Sequence, residues 1–338
     1  MNELIIPPKL KIGDTIGIIC PSAGINSKAK HRISNAVKCF ERMGYRTKIG
    51  KHIMSDGYTA GSIEQRVSDI HDMFTNQDVK AIITAIGGNH CDQLLRFLDY
   101  DLIRRNPKIF SGYSDITVLH YALQTKANLA TYYGPCAATQ FAEFPDILNY
   151  TKKSFLEATS NRPQKREVIP SDSWTDEFLD WFQKLDLTRP REQKKNNGYC
   201  WLKKGTGVGE ALPVCNFSVN RLAGTEFWVN PESKIVFLDL VLDSLNYALL
   251  DASLTDLFNM GFFDKLNGLV IGRPCGFKEE EILKIYTRIL EFTKGKKYPI
   301  LAGFDLGHTD PINTIRYGQK VKIDSRNNEV ILYEKATL

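Results

Sequence analysis

Ser114 is the residue in this sequence best placed to act as a nucleophile. It sits in Gly112-Tyr113-Ser114-Asp115, after an apolar run that ends at Ile109-Phe110 and before Asp115 to Gln124, where Ile116, Leu119 and Leu123 recur at helical spacing. A serine on a tight strand-to-helix turn is pushed out of the backbone, beside a helix N-terminus whose N–H groups favour negative charge. The competing reading is a helix cap, because serine is a favoured N-cap residue. On this stretch alone the cap is favoured. Upstream, Gly87-Gly88-Asn89 follows another apolar run. Paired glycines let backbone N–H groups approach a ligand closely. One N–H from Gly88 or Asn89 and a second from Asp115 would form an oxyanion hole; the plain alternative is a glycine turn.

A serine nucleophile needs a base and an acid. The six histidines are at positions 31, 52, 71, 90, 120 and 308. His31 and His71 fall in charged helical stretches and His52 in a polar loop. His120 lies on the far side of the helix from Ser114 and reads as structural. His308, in Gly307-His308-Thr309-Asp310-Pro311, ends an apolar strand, where functional groups are commonly displayed. Lys234 to Leu240 is a second apolar strand, carrying Asp239 near its end. Ser114, an acid and His308 would form a serine, acid, histidine set in that chain order.

These positions require a scaffold of alternating strands and helices. Asp14 to Cys20 reads as a buried strand, Ser27 to Gly44 as a helix, and Tyr45 to Ile49 as a strand. Ile63 to Phe74 (helix), Val79 to Ile86 (strand) and Asp92 to Leu98 (helix) continue the alternation to Ile109-Phe110. Such a pattern predicts a parallel sheet whose ligand sites lie at the carboxyl ends of its strands. From about Asn161 to Asn197 prolines, charges and amides accumulate around Trp174 and Trp181, which reads as a linker or lid. Those tryptophans either line a site or pin the lid to the domain beneath. Beyond it, Gly205 to Glu210 reads as a glycine-rich turn region, Gly268 to Gly272 as a strand, Leu249 to Met260 and Ile282 to Phe292 as helices, and Lys320-Asp324 with Glu329-Tyr333 as a β-hairpin.

Bulk properties exclude several classes. At 338 residues the length suits about two domains. Hydrophobic content of 43% and charged content of 25% are those of a globular protein. A net charge of +5 with no long basic run speaks against a nucleic-acid polymer as partner. Seven singly spaced cysteines, with no C-x-x-C, predict a reducing cytoplasm and no structural zinc or other metal. No stretch approaches the roughly 18 apolar residues of a membrane span, and no signal-peptide pattern opens the chain. No G-x-G-x-x-G follows the first strand, so no nicotinamide or other cofactor is expected.

Several motifs together carry a resemblance. They include Gly57-Tyr-Thr-Ala-Gly61 with Arg66 and Asp69, then Gly87-Gly88, Leu98-Asp-Tyr-Asp-Leu-Ile103 and Asn106-Pro-Lys-Ile109. Gly112-Tyr-Ser-Asp-Ile-Thr117, Gly134-Pro135, Gly224-Thr225, Ile235-Val-Phe-Leu238 and Pro299 to Pro311 follow in order. In these the chain resembles the LD-carboxypeptidase family of serine peptidases, which includes the microcin C immunity peptidases. The resemblance implies a Rossmann-like parallel-sheet domain over residues 1–165, a linker or lid over 166–199 and a smaller mixed α/β domain over 200–338, with the active site between the two domains. It implies Ser114 as nucleophile, His308 as base, and Asp239 where the family has a glutamate; Asp243 and Asp310 are the alternative acids. It also implies a homodimer; the cytoplasmic location is expected from the cysteines and the N-terminus.

The chain departs from the family pattern at Asn89-His90-Cys91, at Val214-Cys215-Asn216 and at Asp251-Ala252. Asn89, Asn216, Trp174 and Trp181 are the expected substrate-binding residues. The expected activity is hydrolysis of the C-terminal amide bond of a small peptide-like substrate, either an aminoacyl- or peptidyl-nucleotide conjugate or a murein tetrapeptide losing D-alanine. A ligand-binding homologue without turnover is the reading from a different class.

Overall fold

Thr15–Ile19 is buried at every residue, which suits a central strand covered on both faces. The computed structural model describes residues 3–241 and 247–334, in a mixed α/β fold of two compact units. The first unit comprises Met1–Arg162, Glu177–Glu192 and Ile312–Arg316; the second comprises Pro163–Asp176, Gln193–Pro311 and Tyr317–Leu338.

In the first unit six strands form one sheet, in the order Ile315–Arg316, Tyr132–Tyr133, Ile109–Gly112, Val79–Thr84, Thr15–Ile19, Arg46–Ile49. All neighbours are parallel except Ile315–Arg316, which runs antiparallel to Tyr132–Tyr133 at the edge. From Thr15–Ile19 the chain first adds Arg46–Ile49 on one side and then Val79–Thr84 on the other. The crevice at the carboxyl ends of those two central strands is therefore the topological switch point, where such sheets bind ligands. Crossover helices include Lys30–Arg42, which buries Ile33, Ala36, Cys39 and Phe40, and Ile63–Thr75, which opens with a capping box between Ser62 and Gln65.

Of the predicted helix over Asp92 to Leu98, only a 3-10 turn, Cys91–Leu94, is present. The helix falls instead at Tyr100–Arg105, where the Asp99 side chain accepts from the Leu102 N–H at 2.8 Å. An N-cap aspartate fixes the start of a segment too short to show periodicity.

The second unit is built on eight strands, in the order Lys165–Glu167, Glu329–Tyr333, Lys320–Asp324, Thr206–Cys215, Lys234–Asp239, Gly268–Gly272, Ile300–Phe304, Cys200–Lys203. The four from Thr206–Cys215 to Ile300–Phe304 are parallel and the flanking pairs antiparallel. Gly205 to Glu210 is thus mostly strand and not a turn region. A Cβ at Gly207 would lie 2.1 Å from the Asn267 carbonyl oxygen, and one at Gly209 would lie 2.7 Å from that of Ser233. These glycines admit neighbouring backbone, a use of glycine within strands that composition alone does not separate from a turn.

The expected linker or lid is divided between the units. Ser173–Trp174 pairs with Lys194–Lys195 in the second unit. Residues 177–192 belong to the first, where Asp186 accepts from Arg32 Nη1 at 2.8 Å and Arg191 pairs with Glu143.

Candidate active site

In the first unit, Ser114 stands one residue past the strand Ile109–Gly112 and opens a 3-10 turn, Ser114–Ile116, that leads into the helix Thr117–Ala127. Its backbone lies at φ +65°, a left-handed conformation that costs a serine about 1–2 kcal/mol. Such strain persists only where the surroundings enforce it, and it gathers at functional sites. The capping position belongs to Tyr113 and carries no side-chain capping bond. Ser114 is therefore part of the turn and does not cap it. Its N–H donates to the Tyr133 hydroxyl at 3.3 Å, and the Thr117 hydroxyl donates to its carbonyl at 2.7 Å.

Gly87 packs against this turn: a Cβ there would lie 2.9 Å from Ser114 Cβ and 3.3 Å from the Asp115 nitrogen. Gly88, at φ +143°, passes so close to the first strand's loop that a Cβ would meet Ser22 Oγ at 2.5 Å and the Ala23 nitrogen at 2.8 Å. The side chain of Asp115 ties these loops together. It is fully buried, and its Oδ2 accepts from Ser22 Oγ at 2.5 Å, from the His90 N–H at 2.8 Å and from the Cys91 N–H at 2.9 Å. Arg66 adds donations to the carbonyls of Pro21 and His90, each at 3.1 Å. Sequence reading assigned Asp115 only its N–H and did not find Ser22. The signal for Ser22 was its place in Cys20-Pro21-Ser22, at the carboxyl end of the strand beside the switch point. Asn89, on the same loop, is exposed.

His120 supports the serine turn from beneath. Its Nε2 donates to the Gly112 carbonyl at 3.0 Å and its Nδ1 accepts from the Thr131 hydroxyl at 2.9 Å. Burial pushes its pKa from 6.5 down to about 3. A histidine depressed in the folded state contributes stability that is fully present above pH 6.5 and is lost as the pH falls towards 3. Equilibrium unfolding between pH 7 and pH 4 should therefore show His120→Gln taking up about one proton fewer on unfolding than the parent. Identical pH slopes would remove His120 from that account.

In the second unit, His308 Nδ1 lies 2.9 Å and 3.1 Å from the two carboxylate oxygens of Asp239. A carboxylate only accepts, so Nδ1 carries a proton in this contact, and in the neutral ring that places the lone pair on Nε2. Asp239 is fully buried at the end of Lys234–Asp239, while His308 remains partly exposed on the loop after Ile300–Phe304. Gly307 makes the contact possible. It adopts φ +84°, and a Cβ there would overlap Asp239 Oδ1 at 1.9 Å. Asp243 lies outside the described residues. The backbone of Asp310 exchanges two hydrogen bonds with Thr175, at 2.7 and 2.9 Å.

Asn216 begins the short helix after Thr206–Cys215. Its Oδ1 accepts from the Val241 N–H at 3.2 Å and its Nδ2 donates to Ser253 Oγ at 3.3 Å. Cys215 is the register partner of Asp239, so Asn216 borders the strand end that carries the acid. Trp174, in the second unit, has Lys194 Nζ 4.6 Å and the Arg273 guanidinium 5.6 Å from its ring centroid. Trp181, in the first, packs against that unit's core with the Arg32 guanidinium 4.5 Å from its ring centroid. Among the described residues no group of three or more His, Cys, Asp or Glu could hold a metal ion, and no helix is long and apolar enough to cross a membrane.

Residues 16–134 match the LD-carboxypeptidase N-terminal domain, and residues 206–323 match the LD-carboxypeptidase C-terminal domain. The chain belongs to the LD-carboxypeptidase family, and so to the peptidases, which hydrolyse amide bonds. It is 32% identical over 342 residues to the Microcin C7 self-immunity protein MccF of Escherichia coli, covering 96% of this chain and 95% of that protein. The solved structure of MccF in complex with aspartyl sulfamoyl adenosine superposes with a TM-score of 0.90 at 29% identity, over 99% of this chain and 100% of that one. An MccF-like protein from Bacillus anthracis str. Ames gives a TM-score of 0.86 at 34% identity, over 97% and 99%.

Proposed function

We propose that the protein is a serine carboxypeptidase-type hydrolase that cleaves the C-terminal amide or amide-like bond of aminoacyl- or peptidyl-nucleotide conjugates. The observation that carries this reading is the direct contact of His308 Nδ1 with the buried Asp239 carboxylate, which leaves Nε2 to act as a base. Ser114 Oγ attacks the scissile carbonyl while Nε2 takes its proton, and the Gly88 and Asp115 N–H groups receive the oxyanion. Asp239 stabilises the imidazolium, which returns the proton to the departing nitrogen. Water then attacks the acyl-serine by the same base, restoring Ser114. The mechanism requires His308 Nε2 to come within hydrogen-bond reach of Ser114 Oγ. Similarity to MccF along nearly the whole chain supports the nucleotide-conjugate class. In this reading Asn89 faces the substrate, and Asn216 acts through the strand end it holds.

A fluorophosphonate probe should label the protein at Ser114, and labelling should vanish in both Ser114→Ala and His308→Ala. Mass spectrometry after incubation with aspartyl sulfamoyl adenosine should show free aspartate and the sulfamoyl nucleoside. Cleavage of murein tetrapeptide in place of the conjugate would reassign the substrate. Folded protein that neither labels nor turns over would be a ligand-binding homologue.

A further inference from the structure

Ser171, Trp174 and Thr175 belong to a segment that sequence reading treated as linker or lid. Ser171 and Thr175 fasten onto the loop that carries His308, and Trp174 lies against Arg273, which pairs with that loop's first residue. Asp305 opens that loop, at the carboxyl end of Ile300–Phe304, and is fully buried. Its Oδ2 accepts from the Ser171 N–H at 2.8 Å, and its Oδ1 accepts from Ser171 Oγ at 2.8 Å and from Arg273 Nη1 at 2.5 Å. Arg273 directly follows the neighbouring strand Gly268–Gly272 and is itself buried. Its guanidinium lies over Trp174. At the far end of the loop, Thr175 and Asp310 exchange backbone hydrogen bonds in an antiparallel bridge. His308 thus stands between two fixed points, Asp305 and Asp310, while Asp239 holds its ring.

The pair is poorly explained as a stability device. Arg273 Nη2 is buried and makes no hydrogen bond among the described residues. A buried ion pair with an unsatisfied donor contributes little net stability, because desolvation offsets the attraction. Its effect is geometric. Charge-assisted bonds from Arg273 and Ser171 permit one placement of Asp305, three residues before His308.

We infer that Arg273, Asp305 and Ser171 form a brace of positioning residues that sets the His308 loop at the height where the imidazole meets Asp239. The inference rests on the base role proposed for His308, and it adds residues that touch neither substrate nor the reacting atoms. Misplacing a catalytic group by about 1 Å can cost about a hundredfold in rate, and loss of a supporting hydrogen bond about tenfold or more.

The test uses the full chain with Asp305→Asn, Ser171→Ala and Ser171→Thr. Asp305→Asn leaves the Arg273 cation unpaired and can destabilise the fold; Ser171→Ala removes one hydroxyl only, and Ser171→Thr restores it. Expected are a kcat lowered about tenfold in Ser171→Ala and about a hundredfold in Asp305→Asn, with KM within about twofold of the parent. Ser171→Thr should recover most of the rate. An activity-independent measurement accompanies these: the Nδ1–H proton resonance of His308, assigned by its loss in His308→Ala. The brace predicts that this resonance broadens or shifts in Ser171→Ala and returns in Ser171→Thr. An unchanged resonance with unchanged kcat in folded Ser171→Ala overturns the brace while leaving the base role intact. A parent protein whose resonance responds to Ser171→Ala but which neither labels nor turns over upholds the brace and overturns the proposed reaction.

Discussion

Replacing His308 by alanine should abolish turnover and also lower stability at neutral pH. The loss of turnover follows from the base role proposed for His308: without Nε2 the Ser114 hydroxyl would keep its proton, and removal of a triad member costs several orders of magnitude. The stability effect comes from the structure. A histidine on a strand-end loop, read from sequence, contributes little to the core. Here it is a hydrogen-bond donor to a carboxylate with no solvent exposure. Removing that donor from a buried carboxylate costs about 1–3 kcal/mol. Hydrolysis of aspartyl sulfamoyl adenosine, with denaturant unfolding at pH 7, would report both effects. Full activity would remove His308 from the mechanism, and parent-like stability would show that the Asp239 carboxylate does not depend on this donor.

The second large effect concerns the acid. Asp239→Asn should retain the fold and lose on the order of 10⁴ in kcat, because an amide can present its NH₂ to Nδ1 and favour the wrong imidazole tautomer. The family's usual glutamate is longer by one methylene, so Asp239→Glu asks whether this site has adjusted to the shorter side chain. The contact is direct, at 2.9 and 3.1 Å, with no gap for a water. Gly307 closes over the carboxylate so tightly that even a methyl group would overlap it. An added methylene therefore overpacks the site, and Asp239→Glu should be slower than the parent. Steady-state kinetics on the same substrate decides it. A faster Asp239→Glu would mean that the acid is too short where it stands, and parent-like Asp239→Asn would move the role to another carboxylate.

Much of the fold was legible because its strands are runs of β-branched residues and its longer helices keep an apolar stripe. Thr15–Ile19, Gly268–Gly272 and the hairpin of Lys320–Asp324 with Glu329–Tyr333 carry those signals almost to the residue. Thr206–Cys215 did not, because Gly207 and Gly209 spend their missing side chains on neighbouring backbone, and only the partner strands show why. Ser114 was visible as a polar residue at a change of periodicity. The contacts within each unit were not: beside Ser114, Ser22 meets Asp115 across 93 positions, and in the second unit Gly307 meets Asp239 across 68. Spacing along the chain carries no record of contacts made between strand ends. The tryptophans show the same limit, since two residues seven apart in sequence belong to different units.

The edge strand Ile315–Arg316 gives the protein a timetable. It pairs with Tyr132–Tyr133, so the first unit's sheet is finished by a strand that leaves the ribosome roughly 180 residues after its partner. At cellular rates of translation that delay is roughly 10–40 s. Throughout it, the nascent sheet presents Tyr132–Tyr133 as an open edge, the kind of surface on which chains pair wrongly. During that interval, pairing of the open edge with another chain competes with its closure by Ile315–Arg316. A gene fragment cut after the first 162 codons would encode a sheet that never closes.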